Sequence, residues 1–326
     1  MQSRLLAVAT VLCAGITTLA GVPAQAQNYP NRVIQTVVAY APGGTGDYVA
    51  RLLSDKIGAA LGQSVIVENK SGASGAIGAQ SVTKAAPDGY TLLVGQTAEI
   101  AINQHFLKSM SYDPDTELMP IALAAVVPLA LATPAKAKYS TMKEFMEALK
   151  SKPRLTFASA GAGTPGYFAG ELLKLKFDQN LTHVPYKGAG PALTDLIGGH
   201  VDFYFPGVPA VIPHVKAHTL KMLAMSSAKR SSAAPDVPTV AEATGIEDFD
   251  FTLWVGYFAP KGTPQPIIDK LNKTINAVIT QPDIKAKLAT AGAEVTPMSV
   301  AQFTDFVHNE SSKYLRVIKE VGAVSD

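Results

Sequence analysis

One arrangement of residues occurs twice in this chain, and it limits the folds available. An apolar run, Val33–Tyr40, leads into Ala41-Pro42-Gly43-Gly44-Thr45-Gly46-Asp47, after which a helical pattern begins. In the middle of the chain Leu155–Ala158 leads into Ser159-Ala160-Gly161-Ala162-Gly163-Thr164-Pro165-Gly166, and a helical pattern follows again. Each unit continues as strand, helix, strand. A glycine-rich turn from strand to helix aims bare backbone N–H groups, backed by the positive end of the helix dipole, at whatever lies above the strand end. Two such turns on two halves of one chain predict an anion held between two lobes.

The strand segments are rich in β-branched and apolar residues with few charges. Val33-Ile34-Gln35-Thr36-Val37-Val38-Ala39 has the character of a strand buried on both faces. After it, Val49, Leu52, Leu53, Ile57, Ala60 and Leu61 recur at helical spacing, and Gly62 ends the helix. Ser64–Glu68 and Tyr90–Gly95 are the next strands, the first followed by a second glycine loop, Asn69–Gly75. The second unit repeats the plan with a helix carrying Phe168, Leu172 and Leu175, strand His183–Tyr186, a short helix ending at Gly198-Gly199, and strand Val201–Phe205. Alternating strands and helices imply an α/β fold with mainly parallel sheets and right-handed crossovers. Ile121–Ala132, though interrupted by Pro128, reads as a buried strand segment. Phe251–Phe258 reads as a strand crossing back to the first half. The expected division is residues 27–125 plus 245–326 in lobe one and 126–244 in lobe two, joined by a two-strand hinge.

Length and composition support this. Residues 1–26 read as an export signal: Arg4 supplies the positive end, Leu5–Leu19 is largely apolar, and Ala24-Gln25-Ala26 offers a cleavage site after Ala26. The remainder exceeds what one core usually serves, and 47% hydrophobic residues can fill two. The only cysteine, Cys13, lies in the removed segment, so the mature chain has no disulfide or cysteine-based metal site. Export without cysteine fits a bacterial periplasm. A formal charge of +2, lowered by one with the loss of Arg4, gives no basic face for nucleic acid.

Neither main loop contains Lys or Arg, so anion binding would rest on backbone N–H groups, hydroxyls and helix ends. Asp47 suits an N-cap or a ligand contact, and it can pair with Arg51 one turn on. Lys187 follows a strand end and either supplies a cation to the cleft or is solvated. Tyr40, Tyr167, Tyr204 and Phe205 either line a pocket or pack the domain interface. Catalytic motifs are poorly matched. Pro42–Asp47 lacks the terminal Gly-Lys-Ser/Thr of a Walker loop, its glycines miss the G-x-G-x-x-G spacing, and Phe157–Gly161 lacks the first glycine of a nucleophile elbow. His214 and His218 stand four apart without a nearby acidic third ligand. The expectation is a non-enzymatic binding protein with no cofactor or metal.

Seven stretches then carry a family resemblance: YPNRVIQTVVAYAPGGTGDYVAR (29–51), VIVENKSGASGAIGA (65–79), AAPDGYTLL (85–93), FASAGAGTPGYFAGELLK (157–174), HVPYKGAGPALTDLIGGHVDFYF (183–205), RSSAAPDVPTVAEATG (230–245) and WVGYFAPKGTPQPIIDKLN (254–272). In this order the chain resembles the Bug substrate-binding proteins, periplasmic receptors of tripartite tricarboxylate transporters. The resemblance implies a two-lobed receptor that closes on a small carboxylate and delivers it to a membrane permease. It further implies a carboxylate gripped by loops matching Gly43–Asp47 and Ser159–Thr164, through backbone amides and ordered water. Gly44, Thr45, Gly46, Ser159, Ala160, Gly163 and Thr164 are the expected contacts, with Tyr40, Asp47, Gln96, Tyr167 and Tyr204 as further pocket residues. Tyr167 stands where many relatives carry His, which would favour an aromatic carboxylate. A monomer is expected. The rival readings are a ligand-loaded receptor that docks on a sensor ectodomain and, behind it, a periplasmic hydrolase.

Overall fold

The structure is a computed structural model that describes residues 29–151 and 154–323; the expected export signal lies outside the described residues. Ten strands run in chain order: β1 (Ile34–Val38), β2 (Val65–Asn69), β3 (Thr91–Gln96), β4 (Leu118–Pro128), β5 (Ala130–Pro134), β6 (Leu155–Ser159), β7 (Leu181–Pro185), β8 (Phe203–Tyr204), β9 (Leu220–Met225) and β10 (Thr252–Pro260). They form two five-stranded sheets of matching order, β2-β1-β3-β10-β4 and β7-β6-β8-β5-β9. The fold is a two-lobed α/β arrangement with helices on the sheet faces.

Both sheets are mixed, and in each the reversed strand occupies the same place. β1 pairs in parallel with β2 and β3, while β10 is antiparallel to β3 and β4. β6 pairs in parallel with β7 and β8, while β5 is antiparallel to β8 and β9. The reversed strands are those that have just crossed from the other lobe. β4 runs towards the cleft, passes through Leu129 and continues as β5 away from it. β9 runs towards the cleft and the chain returns as β10. The segment Ile121–Ala132, expected as one strand, is therefore divided between two sheets, with Pro128 ending the first part. Ser226 ties the two crossings together. Its backbone N–H donates to Leu129 O (2.9 Å), its hydroxyl to Phe251 O (2.6 Å), and its carbonyl accepts from Phe251 N (2.9 Å).

The first sheet is buried on both faces, as its apolar strands require. Val38 and Val94 pack with Ile57 and Leu271 on one side; Val37 and Leu93 pack with Trp254 and Phe303 on the other. The second sheet is flanked by Phe157, Phe168 and Phe203 on one face and by Ala158, Leu193 and Tyr204 on the other. The last helix, Val300–Val321, expected with residues 245–326 in lobe one, spans both lobes. Phe303 and Val307 join the first sheet's core, whereas Tyr314 and Ile318 join the second's. Its apolar stripe records only that one face is buried, and does not say against which neighbours.

Candidate functional site

The carboxyl ends of β1, β3 and β6, together with the crossing segments, surround a cavity of about 510 Å³ including its mouth. Lobe one contributes Tyr40, Gly44, Thr45, Gly46, Asp47 and Gln96; lobe two contributes Ala160, Thr164 and Tyr204. These are nine of the twelve residues singled out in the sequence. Leu129, Phe205 and Leu253 add apolar surface.

Four helices begin at this cavity. They are Thr45–Leu61, Pro165–Lys176, Ala189–Gly198 and Val208–Lys216, with Gly44, Thr164, Gly188 and Gly207 as their N-caps. Gly44, Thr164, Ala189 and Gly207 are on the wall. None of the four starts is closed by a side-chain capping bond, so their first N–H groups have no intrahelical acceptor and no cap. Thr164 has the right chemistry to cap, but its hydroxyl donates to Gly161 O at 2.8 Å instead. Thr239 and Ser299, whose helices start away from the cavity, do close capping boxes.

The wall carries no Lys or Arg among the described residues, and its one charged side chain, Asp47, is already partnered. Asp47 Oδ1 accepts from Arg51 Nε (2.9 Å) and Asn69 Nδ2 (3.0 Å), and Oδ2 accepts from Gly43 N (3.2 Å). Asp47 is not the N-cap. The helix starts two residues earlier, at Thr45, because Gly43 at φ 87° turns the chain sharply into it. From the third helical position Asp47 reaches back past the N-cap Gly44 to the backbone N–H of Gly43, one residue outside the helix, and so makes no capping-box bond. The buried Thr45 Oγ1 has no hydrogen-bond partner in the protein and lies at the cavity.

Three of the expected residues lie off the cavity. Ser159 is fully buried, its Oγ 2.6 Å from His183 Nε2 and accepting from Gly161 N at 3.1 Å. Gly163, at φ 83°, leaves room for Phe106: a Cβ there would fall 2.6 Å from that ring. Tyr167 packs among Phe106, Phe168 and His183, with ring centroids 4.7–5.6 Å apart. A helix start has only a few positions facing the ligand, and these three fall on the side towards the core. Tyr167 therefore offers no surface to favour an aromatic ligand. Lys187 is also absent from the wall; its carbonyl accepts from Ala41 N across the cleft at 3.1 Å.

The lobes touch on both sides of the cavity. Ser74 Oγ donates to Ala162 O at 2.5 Å. A Cβ on Gly190 would lie 2.2 Å from Pro42 O, and one on Gly207 would lie 2.3 Å from Thr45 Oγ1. Sequence reasoning did not pick out Ser74, the two extra helix starts, or Glu99, a buried acid behind the wall. The turn-and-proline pattern Gly207-Val208-Pro209 is a helix-start signal that could have indicated one of them.

Among the described residues no helix is long and apolar enough to cross a membrane. A family profile described as the tripartite tricarboxylate transporter family receptor matches residues 49–323. Protein BugT of Bordetella pertussis is 35% identical over 324 residues, covering 99% of this chain and 98% of its own. Among solved structures, Rpa4515 of R. palustris with adipate has a TM-score of 0.88 at 33% identity, covering 91% of this chain and 99% of its own. MatC of Rhodopseudomonas palustris with bound malate has a TM-score of 0.84 at 33% identity, covering 89% and 100%. Sequence, fold and cavity agree: the chain belongs to the tripartite tricarboxylate transporter receptor family, the Bug-type periplasmic solute-binding proteins.

Proposed function

We propose that this protein captures a small organic carboxylate in the periplasm and hands it to the membrane permease of a tripartite transporter. The observation that carries this reading is the convergence of four uncapped helix starts on a wall without a cationic side chain. Such a site favours anions, because each helix end contributes about 0.3–1 kcal/mol, and up to about 2 when partly buried. Each hydrogen bond to a charged acceptor nets about 1.5–3 kcal/mol. Three to five of these, less the cost of association, reach the roughly −8 kcal/mol of micromolar binding. Gly44, Thr45, Gly46, Ala160 and Thr164 make the contacts, and the free Thr45 hydroxyl takes one ligand oxygen. Tyr40, Gln96 and Tyr204 border the rest of the ligand.

Adipate and malate, held by the two similar proteins, are small aliphatic dicarboxylates and support the same class here. The receptor works as a monomer whose segment 1–26 directs export and is removed after Ala26. It performs no bond chemistry: the ligand stabilises contact between one lobe built on residues 27–125 and 245–299 and another built on 126–244, with the last helix packed against both. Calorimetry and thermal shift against adipate, malate and benzoate, with a neutral sugar and an amine as controls, test the reading. Micromolar binding of a carboxylate and none of the controls is expected. Binding of a control, or of no carboxylate, overturns it.

A further inference from the structure

Glu99 lies one layer behind the cavity wall and is fully buried. Its Oε2 accepts from the Tyr40 hydroxyl at 2.8 Å and its Oε1 from Gln96 N at 2.7 Å. Tyr40, Gln96 and the adjacent Ala98 all line the cavity. The titratable groups facing Glu99 are Tyr40, beyond β1, and Tyr112, ahead of β4, whose hydroxyl donates to Glu99 O at 2.6 Å. Tyr204 of the opposite lobe faces Tyr40 in turn. The turn holding Ser74 offers only neutral groups, and from the helix Asn103–Phe106 it is Asn103 that bonds on this side, its Nδ2 donating to Ser74 O at 3.0 Å, while His105 bonds to Ser311 at 2.7 Å. Among the described residues no Lys, Arg or His pairs with Glu99.

The Tyr40 hydroxyl suits either protonation state of this acid. It lies 2.8 Å from Glu99 Oε2 and 3.1 Å from Ser74 O. It can donate to an ionised Glu99, or accept from a protonated one while donating to Ser74. Ser74 is also the residue that bonds to Ala162 across the cleft.

We propose that Glu99 is the proton-carrying partner of the bound anion: the ligand is held while Glu99 is protonated, and ionisation of Glu99 weakens its hold. This rests on the anionic-ligand reading above. Two negative groups separated by one layer of low-dielectric protein repel, so the ligand raises the proton affinity of Glu99, and the ionised acid lowers ligand affinity by the same factor. Burial already pushes Glu99 up to about 8 in the absence of ligand, against the bonds from Gln96 N and Tyr40. Affinity is therefore flat below that pH and falls above it. Aliphatic carboxylates titrate near about 4 and stay ionised throughout this range.

The test is calorimetry of the mature protein with adipate, malate and benzoate from pH 6 to 9.5, in two buffers of different ionisation heat, for wild type and Glu99→Gln. Wild type should lose up to about tenfold in affinity between pH 7 and pH 9 and take up close to one proton per ligand at the upper end. Glu99→Gln should show neither effect. A wild type that binds without a pH slope or proton uptake overturns the linkage alone, as does a variant that keeps the wild-type slope. If no carboxylate binds at pH 6, the anionic reading fails and the linkage with it. Should Glu99→Gln fail to fold, the wild-type proton count decides.

Discussion

In lobe one the chain leaves β1 through Gly43 and begins its helix with Thr45, Gly46 and Asp47 all on the cavity wall. In lobe two it leaves β6 through Gly161 and Gly163, and of Ser159–Thr164 only Ala160 and Thr164 reach that wall. There Ser159 is turned to His183, Gly163 faces Phe106, and Tyr167 fills an aromatic cluster. Two loops of the same local design thus do different work. The first presents backbone to the cavity, while the second is braced by aromatic side chains and closes the cavity from the far side. The titrating groups withdrawn from water, one buried and one half-buried, differ in the same way. Lobe one holds an acid, Glu99, that burial pushes up to about 8; lobe two holds a base, His183, that burial and then the charge of Lys174 push down to about 4. One cause, loss of water, shifts both towards their neutral forms.

If lobe two is the braced half, removing its central ring should cost stability first. Phe157 lies 5.6 Å from Phe203 and 5.0 Å from His183, centroid to centroid. Phe157→Ala should lose about 3–5 kcal/mol in denaturant unfolding; a loss below about 1 kcal/mol would break the contrast. Gly190→Ala tests closure. A Cβ there would meet Pro42 O at 2.2 Å from the opposite lobe, and its backbone is outside the left-handed region. Ligand affinity should fall about a hundredfold, or about 2.7 kcal/mol, with ligand-free melting unchanged. Unchanged affinity would mean that the lobes need not approach this closely.

Ser74 sharpens the same point on the other side of the cavity. Loss of its bond to Ala162 should cost about 0.5–1.5 kcal/mol in ligand binding. Because Ser74 has φ 49° and ψ 42°, Ser74→Gly relieves backbone strain that Ser74→Ala retains. Both variants should bind more weakly if the hydrogen bond matters; if strain alone does, the alanine variant should match wild type and only the glycine variant should differ. The last contrast concerns His183 and acid pH alone. Its folded pKa lies below its unfolded value, so its neutral form contributes stability present above about pH 6.5 and lost as pH falls through about 4. Wild type should lose more in Tm over that interval than His183→Gln, by about 2–4 °C for each kcal/mol of this linkage. An equal loss in both would show that another group governs acid sensitivity.

Much of the fold was legible because short-range rules decide it. β1, β2 and β3 fall within two residues of the segments read from apolar runs, and Gly62 ends its helix in a left-handed turn at φ 73° as expected. The segments Ile121–Ala132 and Phe251–Phe258 were recognisable as strands near the lobe junction. Their reversal within each sheet was not, because direction follows from which lobe the chain has just left. The N-cap expected at Asp47 falls three residues earlier, at Gly44, as caps depend on backbone turns that a side-chain pattern does not record. Tyr167 read as a pocket residue because helical spacing alone does not tell a face turned to a cavity from one turned to a core.

By itself the sequence determined two strand–glycine–helix units, a hinge of crossing strands and loops without cationic side chains, because these depend on residues close together in the chain. Tertiary structure decided which helix starts meet at one cavity, which loop residues face it, and that Glu99 lies behind it without a counter-charge. Those outcomes depend on packing between segments far apart in sequence: Glu99 is held by Tyr40, 59 positions away, and the cavity is closed by Ser74 and Ala162, 88 positions apart.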